Sequence, residues 1–166
     1  MASGDTLAVF TPKQNVPPLS NFATVDFRNG IMVLDFDPDT DESAIFTGIL
    51  PRHYSGGGIT IYIHWMATSA IAGTCRWQTA IERHQAGVTD SDSDDFATAN
   101  SGGDIASTTS GSEVVTAIAH TNGVQIDSLA VGERFRLKVN RDADGTSGTD
   151  DMSGDAELVC IELKET

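Results

Sequence analysis

The sequence predicts an all-β fold: a jelly-roll-like antiparallel β-sandwich of about eight strands with an N-terminal extended arm. Three observations predict it. Apolar and polar residues alternate with a period of two at Ile59–Ala67, Cys75–Ile81 and Phe135–Val139, which marks strands with two unlike faces. Turn-forming clusters separate such runs at the regular spacing of sandwiches and barrels. No stretch carries an amphipathic helical period, and sixteen glycines with many Ser and Thr favour strands and turns.

The elements follow in order. Residues 1–22 are expected as the arm and 23–166 as the sandwich domain. Within the arm, Thr6–Thr11 has the character of a short strand, after which Pro12, Pro17 and Pro18 interrupt any ladder because proline donates no hydrogen bond. Such an arm either wraps its own domain or reaches a neighbour, and its few alternating apolar residues favour the second course. Ala23–Arg28 and Ile31–Phe36 flank Asn29-Gly30, the strongest two-residue hairpin signal, since both positions want φ > 0. Ser43–Leu50 is a strand that Pro51 ends. Residues 85–111 read as a long acidic loop with one aromatic, Phe96, and a short strand near Ile105. Glu113–His120 is strand-like before the turn Thr121-Asn122-Gly123, 124–129 is ambiguous, and Gly132–Arg141 and Asp155–Glu165 complete the set.

The stretch 55–84 is the expected centre. Ile59, Ile61, Ile63 and Trp65 share one face; after a loop of small residues, Cys75, Trp77, Thr79 and Ile81 share another. Two long strands so joined are expected to form an antiparallel hairpin. Trp65 and Trp77 are expected inside, whereas Phe135, Leu137 and Val139 face in and Arg134, Arg136 and Lys138 face out, toward acids of a neighbouring strand or subunit.

Composition excludes several functions. With 24 acids against 10 bases the net charge is −14, which repels nucleic acid and anionic membranes. Cys75 and Cys160 fit neither a disulfide framework nor a zinc site and are expected as small buried hydrophobes. The first residues lack the basic and apolar segments of a signal peptide, so the chain is expected to be made in a cytoplasm and not exported by a classical route. No apolar run approaches the roughly 20 residues of a membrane span.

No catalytic, cofactor-binding or metal-binding residue is assigned. Asp35, Asp37, Asp39 and Asp41 alternate, Asp142, Asp144, Asp150 and Asp151 cluster, and Asp90, Asp92, Asp94 and Asp95 form a third group. Each has the carboxylates that calcium prefers, but none has the spacing of a known loop, and solvated turns account for them. His53, His64, His84 and His120 show no ligand spacing. Ser110-Gly111-Ser112 is not a nucleophile elbow, and Gly56–Gly58 lacks the helix and the Lys of a phosphate loop; it is expected to let the backbone turn sharply before the long strand.

The run PPLSNFATVDFRNGIMVLDFDPDTDESAIFTGILPRHYSGGGITIYIHWMATSA, together with SLAVGERFRLKVNRD and GDAELVCIELKET, resembles small proteins of aquatic tailed phages that look like capsid decoration, or cement, proteins. The resemblance implies a jelly-roll core, a homotrimer, the major capsid protein as partner, a place on the phage head surface, and a structural role without an enzyme's chemistry or a cofactor. The alternative is a carbohydrate- or receptor-binding β-sandwich module on a virion, which exposed aromatics lining a concave sheet would favour.

Overall fold

A computed structural model describes residues 4–69 and 71–166. The order of elements is β1 (Thr6–Phe10), β2 (Thr24–Arg28), β3 (Ile31–Phe36), β4 (Ser43–Ile49), β5 (Ile59–Ala67), β6 (Thr74–His84), β7 (Asn100–Ile105), β8 (Val114–His120), β9 (Arg134–Arg141) and β10 (Ala156–Glu165), with two single 3-10 turns at Pro12–Gln14 and Val124–Ile126. The strands form two antiparallel sheets. One runs β2-β3-β10-β5-β8 with β1 also paired to β10; the other runs β4-β9-β6-β7. Ten strands form instead of about eight because the short β1 and β7 both find partners.

The Asn29-Gly30 turn takes positive φ at both positions, 48° and 81°, and fixes the β2–β3 register with Arg28 opposite Ile31. The expected hairpin of β5 with β6 does not form: β5 lies in the six-stranded sheet and β6 in the four-stranded one. Both strands carry a large apolar face. A hairpin would set the two faces side by side in one layer, still needing cover; a crossover between layers sets them face to face. Ile61, Ile63 and Trp65 thereby oppose Trp77 and Ile81, all fully buried, and the two indoles lie 6.2 Å apart between centroids. Phe36 packs edge-on against Trp77 at 4.9 Å, while Phe10 stacks on Phe46 at 5.5 Å.

The inward phase of β9 extends past Val139 to Arg141, which is fully buried. Its guanidinium donates from Nε and Nη2 to Asp150, at 3.0 and 2.7 Å, and from Nη1 and Nη2 to the carbonyls of Phe36, Gly154 and Met152. One side chain thus ties the β9–β10 connection to strand β3 of the opposite layer.

The arm lies against its own domain. Val16 N–H donates to Ile45 O (2.8 Å), Ala23 N–H to Ser43 O (3.1 Å), Ser43 N–H to Asn21 O (2.9 Å) and Ile45 N–H to Asn15 Oδ1 (3.0 Å). These bonds cover the edge of β4, as exposed edges require. On the opposite side β7 and β8 approach so closely that a Cβ at Gly102 would meet Ile118 at 3.0 Å. The glycine run before β5 serves close approach more than turning: a Cβ at Gly57 would meet Thr166 O at 2.5 Å, and one at Gly58 would meet His120 O at 2.8 Å.

Candidate functional site

The outward residues of the four-stranded sheet stand in cross-strand rows set by register. Ser43 pairs with Asn140, Asn140 with Gln78, and Gln78 with Ser101; the next row joins Ile45, Lys138 and Ala80; the third joins Thr47, Arg136 and Glu82. Cross-strand neighbours on one face stand about 5 Å apart, so the first two rows present a floor of amide, hydroxyl and ammonium groups. Asn140 Nδ2 donates to Gln78 Oε1 at 3.3 Å, which fixes the two amides and leaves further donor and acceptor capacity on each.

Two walls turn this floor into a cleft. The arm, at Pro18, Ser20 and Asn21, stands along one side, and the loop after β6, at Asp95 and Phe96, stands along the other, enclosing about 510 Å³. Ala97 N–H donates to Ile81 O at 2.9 Å and holds the loop over the sheet. The ring of Phe96 lies 4.9 Å below the Arg136 guanidinium, an arrangement that fixes the ring.

Beside the cleft the third row becomes a buried polar group. Glu82 is fully buried, paired through Oε2 with Arg136 and 2.9 Å through Oε1 from His84 Nε2, a contact whose geometry is not that of a hydrogen bond. His84 Nδ1 is 3.5 Å from Ser91 Oγ, at the mouth of a second cleft of about 580 Å³ lined also by Gly87, Glu133 and Arg134. With Arg136 already neutralising Glu82 and Ser91 at the limit of contact, these groups make a structural brace for the loop. The bases expected to face out thus divide: Arg136 meets an acid of the neighbouring strand, while Lys138 lines the cleft.

The other singled-out residues lie elsewhere. His64 Nδ1 is 2.5 Å from Glu113 on the outer face of the six-stranded sheet, and His53 is exposed. His120 is buried; its Nδ1 faces Gln125 O at 3.2 Å, so Nδ1 carries the proton and Nε2 accepts from Thr79 Oγ1 at 2.8 Å. Burial holds its pKa below the ordinary value. Cys75 is buried and Cys160 half-buried, both free thiols.

The acidic clusters are regrouped by the fold. Asp41, Asp142 and Asp144 bring carboxylate oxygens within 4.8 Å of one another, as do Asp26, Asp35 and Glu157. In the first group, Asp142 accepts from Ser147 N–H, Ser147 Oγ and Thr146 Oγ1, which orders its own loop. In the second, Arg28 pairs with Glu157 at 2.5 Å. Burial, then the charges of Glu157, Asp26, Asp155 and Glu42, push the Asp35 carboxyl up to about 6. Asp90 accepts from Asp92 N–H at 3.0 Å and caps its own turn.

The tryptophans and tyrosines form no flat exposed platform: Trp65, Trp77 and Tyr54 are buried, and Tyr62 lies half-buried, with the Lys164 ammonium 5.9 Å from its ring centroid. Sequence reasoning found Lys138 as an outward residue but not the cleft, whose rows depend on the pairing of β4, β9 and β6. It also missed Arg141, although the period-two series Phe135, Leu137, Val139 points to it directly.

No protein-family model matches the chain, and no curated protein matches it. Among solved structures, similarity extends to the CBM22-1 xylan-binding domain of Paenibacillus barcinonensis Xyn10C, with a TM-score of 0.41 and 11% identity over 99% of this chain and 97% of that one. A variant of CBM29-2, a family 29 carbohydrate-binding module, gives 0.40 and 12% over 99% and 93%, and TmCBM61 in complex with β-1,4-galactotriose gives 0.36 and 12% over 99% and 86%.

Proposed function

We propose that the chain is a non-catalytic recognition module that binds a neutral carbohydrate in the cleft across the four-stranded sheet. The single observation that carries this reading is the cleft's lining: Gln78, Asn140, Lys138 and Asp95 converge on one groove beside the fixed ring of Phe96. Sugar hydroxyls both donate and accept, and amide side chains answer both demands at once. A sugar's C–H face needs an apolar surface, which Phe96 offers at the wall. The net charge of −14 disfavours acidic polymers, so the ligand class is a neutral glycan. Binding of folded protein to an array of neutral polysaccharides, followed by calorimetry on the hits, tests it. Gln78→Ala or Asn140→Ala should weaken binding about 3- to 10-fold, the worth of one or two hydrogen bonds. Absence of any glycan bound at millimolar concentration overturns the reading.

A second reading has its own observation. Leu19, Phe22, Val25 and Phe27 are exposed, and Phe22 and Val25 line one mostly apolar groove, a surface suited to a protein partner. It accords with a decoration protein that docks as a homotrimer on a phage capsid and reinforces it. Heads lacking the protein would then fail under heat or osmotic shock that complete heads withstand; equal resistance counts against this role.

A further inference from the structure

We propose that the free edge of β2 pairs with β2 of a second copy, joining two six-stranded sheets about a two-fold axis centred on Asp26. The inference rests on neither reading of the function. The two-residue turn makes Arg28 and Ile31 a hydrogen-bonded pair, so by alternation Asp26–Val33 and Thr24–Asp35 are hydrogen-bonded as well. Val25 and Phe27 therefore point their backbone N–H and C=O groups away from β3, to the outside. β2 is the last strand of its sheet, and Thr24 to Phe27 are exposed, so nothing of the described chain covers those four groups.

The strand is self-complementary, as a two-fold contact demands. Centring on Asp26 sets Val25 opposite Phe27 of the second copy, twice, with all four free backbone groups paired, and Thr24 opposite Arg28. Val25 is 56% and Phe27 60% exposed, and the pairing would cover both. These side chains project on the core side of the sheet, past the end of the other layer, where a mostly apolar groove of about 530 Å³ lies between Met32, Phe22, Pro12 and Pro17. The local charge is acidic: Arg28 is already paired with Glu157, and Asp26 lies with Asp35 and Glu157. Asp26 and Arg28 alternate on the outer face, so the joined edge would read Arg, Asp, Asp, Arg across the axis, each acid diagonal to the other copy's base. The two central aspartates are the cost. At about 4.5 Å between Cα atoms of that pair, their repulsion in water weakens association roughly fivefold and is screened by salt.

A five-residue pairing with its groove is smaller than a standard interface of about 1,600 Å², so the dimer should be weak and concentration-dependent. Sedimentation equilibrium of the chain from about 10 μM to 1 mM, in 0.15 M and 1 M salt, tests it. The expected result is a monomer–dimer equilibrium that tightens in high salt, tightens roughly fivefold in Asp26→Asn, and is lost in Phe27→Lys, whose exposed position leaves folding intact by circular dichroism. A monomer at every concentration in both parent and Asp26→Asn, a dimer that Phe27→Lys leaves unchanged, or a trimer without a dimer would each overturn it.

Discussion

Replacing Arg141 by Met should be among the most damaging single changes to this fold. Met matches only the aliphatic stem, ending about where Nε stands, and supplies none of the five donor contacts that Arg141 makes. Asp150, itself buried, would be left as an uncompensated charge. Removing one partner of a buried pair costs about 3–5 kcal/mol, a large share of the roughly 5–15 kcal/mol that holds a domain together. With a urea slope of about 2 kcal/mol per molar, the unfolding midpoint should fall by about 2 M. Fluorescence of the Trp65–Trp77 pair, packed together only in the fold, reports the transition. The double variant Arg141→Met with Asp150→Leu should recover part of the loss, but not all, because Asp150 also accepts the Arg76 N–H at 2.8 Å. A double-mutant coupling below about 0.5 kcal/mol, or a midpoint shift of Arg141→Met below about 0.5 M at unchanged slope, would refute the argument that this pair is desolvated and mutually dependent.

Two further outcomes follow from the same reasoning. Trp65 Nε1 donates to Thr116 Oγ1 at 3.0 Å, whereas Trp77 Nε1 has no acceptor among the described residues; Trp65→Phe should therefore destabilise more than Trp77→Phe, by about 1 kcal/mol in chemical denaturation. Asp35 titrates at about 6 in the fold against 3.8 as a free side chain, so between these values the folded state binds more protons and stability from this group rises as pH falls. Asp35→Asn should then stabilise by about 1 kcal/mol at pH 8, after allowance for solvent screening, and the gain should vanish near pH 4; a gain independent of pH across melting curves would contradict the assigned repulsion.

Much of the fold was legible because a strand's face pattern is local. The alternation from Ile59 to Ala67 and from Phe135 to Val139 named the buried side chains, and Asn29-Gly30 named its turn. Sheet membership was not legible, since period two says which residues share a face and not which strand lies alongside. That is why β5 and β6 read as a hairpin although they sit in opposite layers. The candidate cleft suffered the same loss: Gln78, Lys138 and Asn140 were visible as polar positions, but their rows exist only once β9 lies between β4 and β6. Phe96 stood out only as a lone aromatic in an acidic loop, because its partner Arg136 is 40 positions away in the chain.

The position of β10 has a consequence for synthesis. This strand, the latest of the ten in sequence, lies inside its sheet, between β5 on one side and β3 and β1 on the other. Until residues 156–165 leave the ribosome, β5 and the β2–β3 hairpin have no common partner, and Ile61, Ile63 and Leu34 lack the strand that lies beside them. Long-range closure of this kind is slow, and the waiting strands expose edges to other chains. The nascent protein is thus most exposed to misassembly just before its last strand arrives, and slowing translation over residues 142–155 should lengthen that exposure instead of aiding folding.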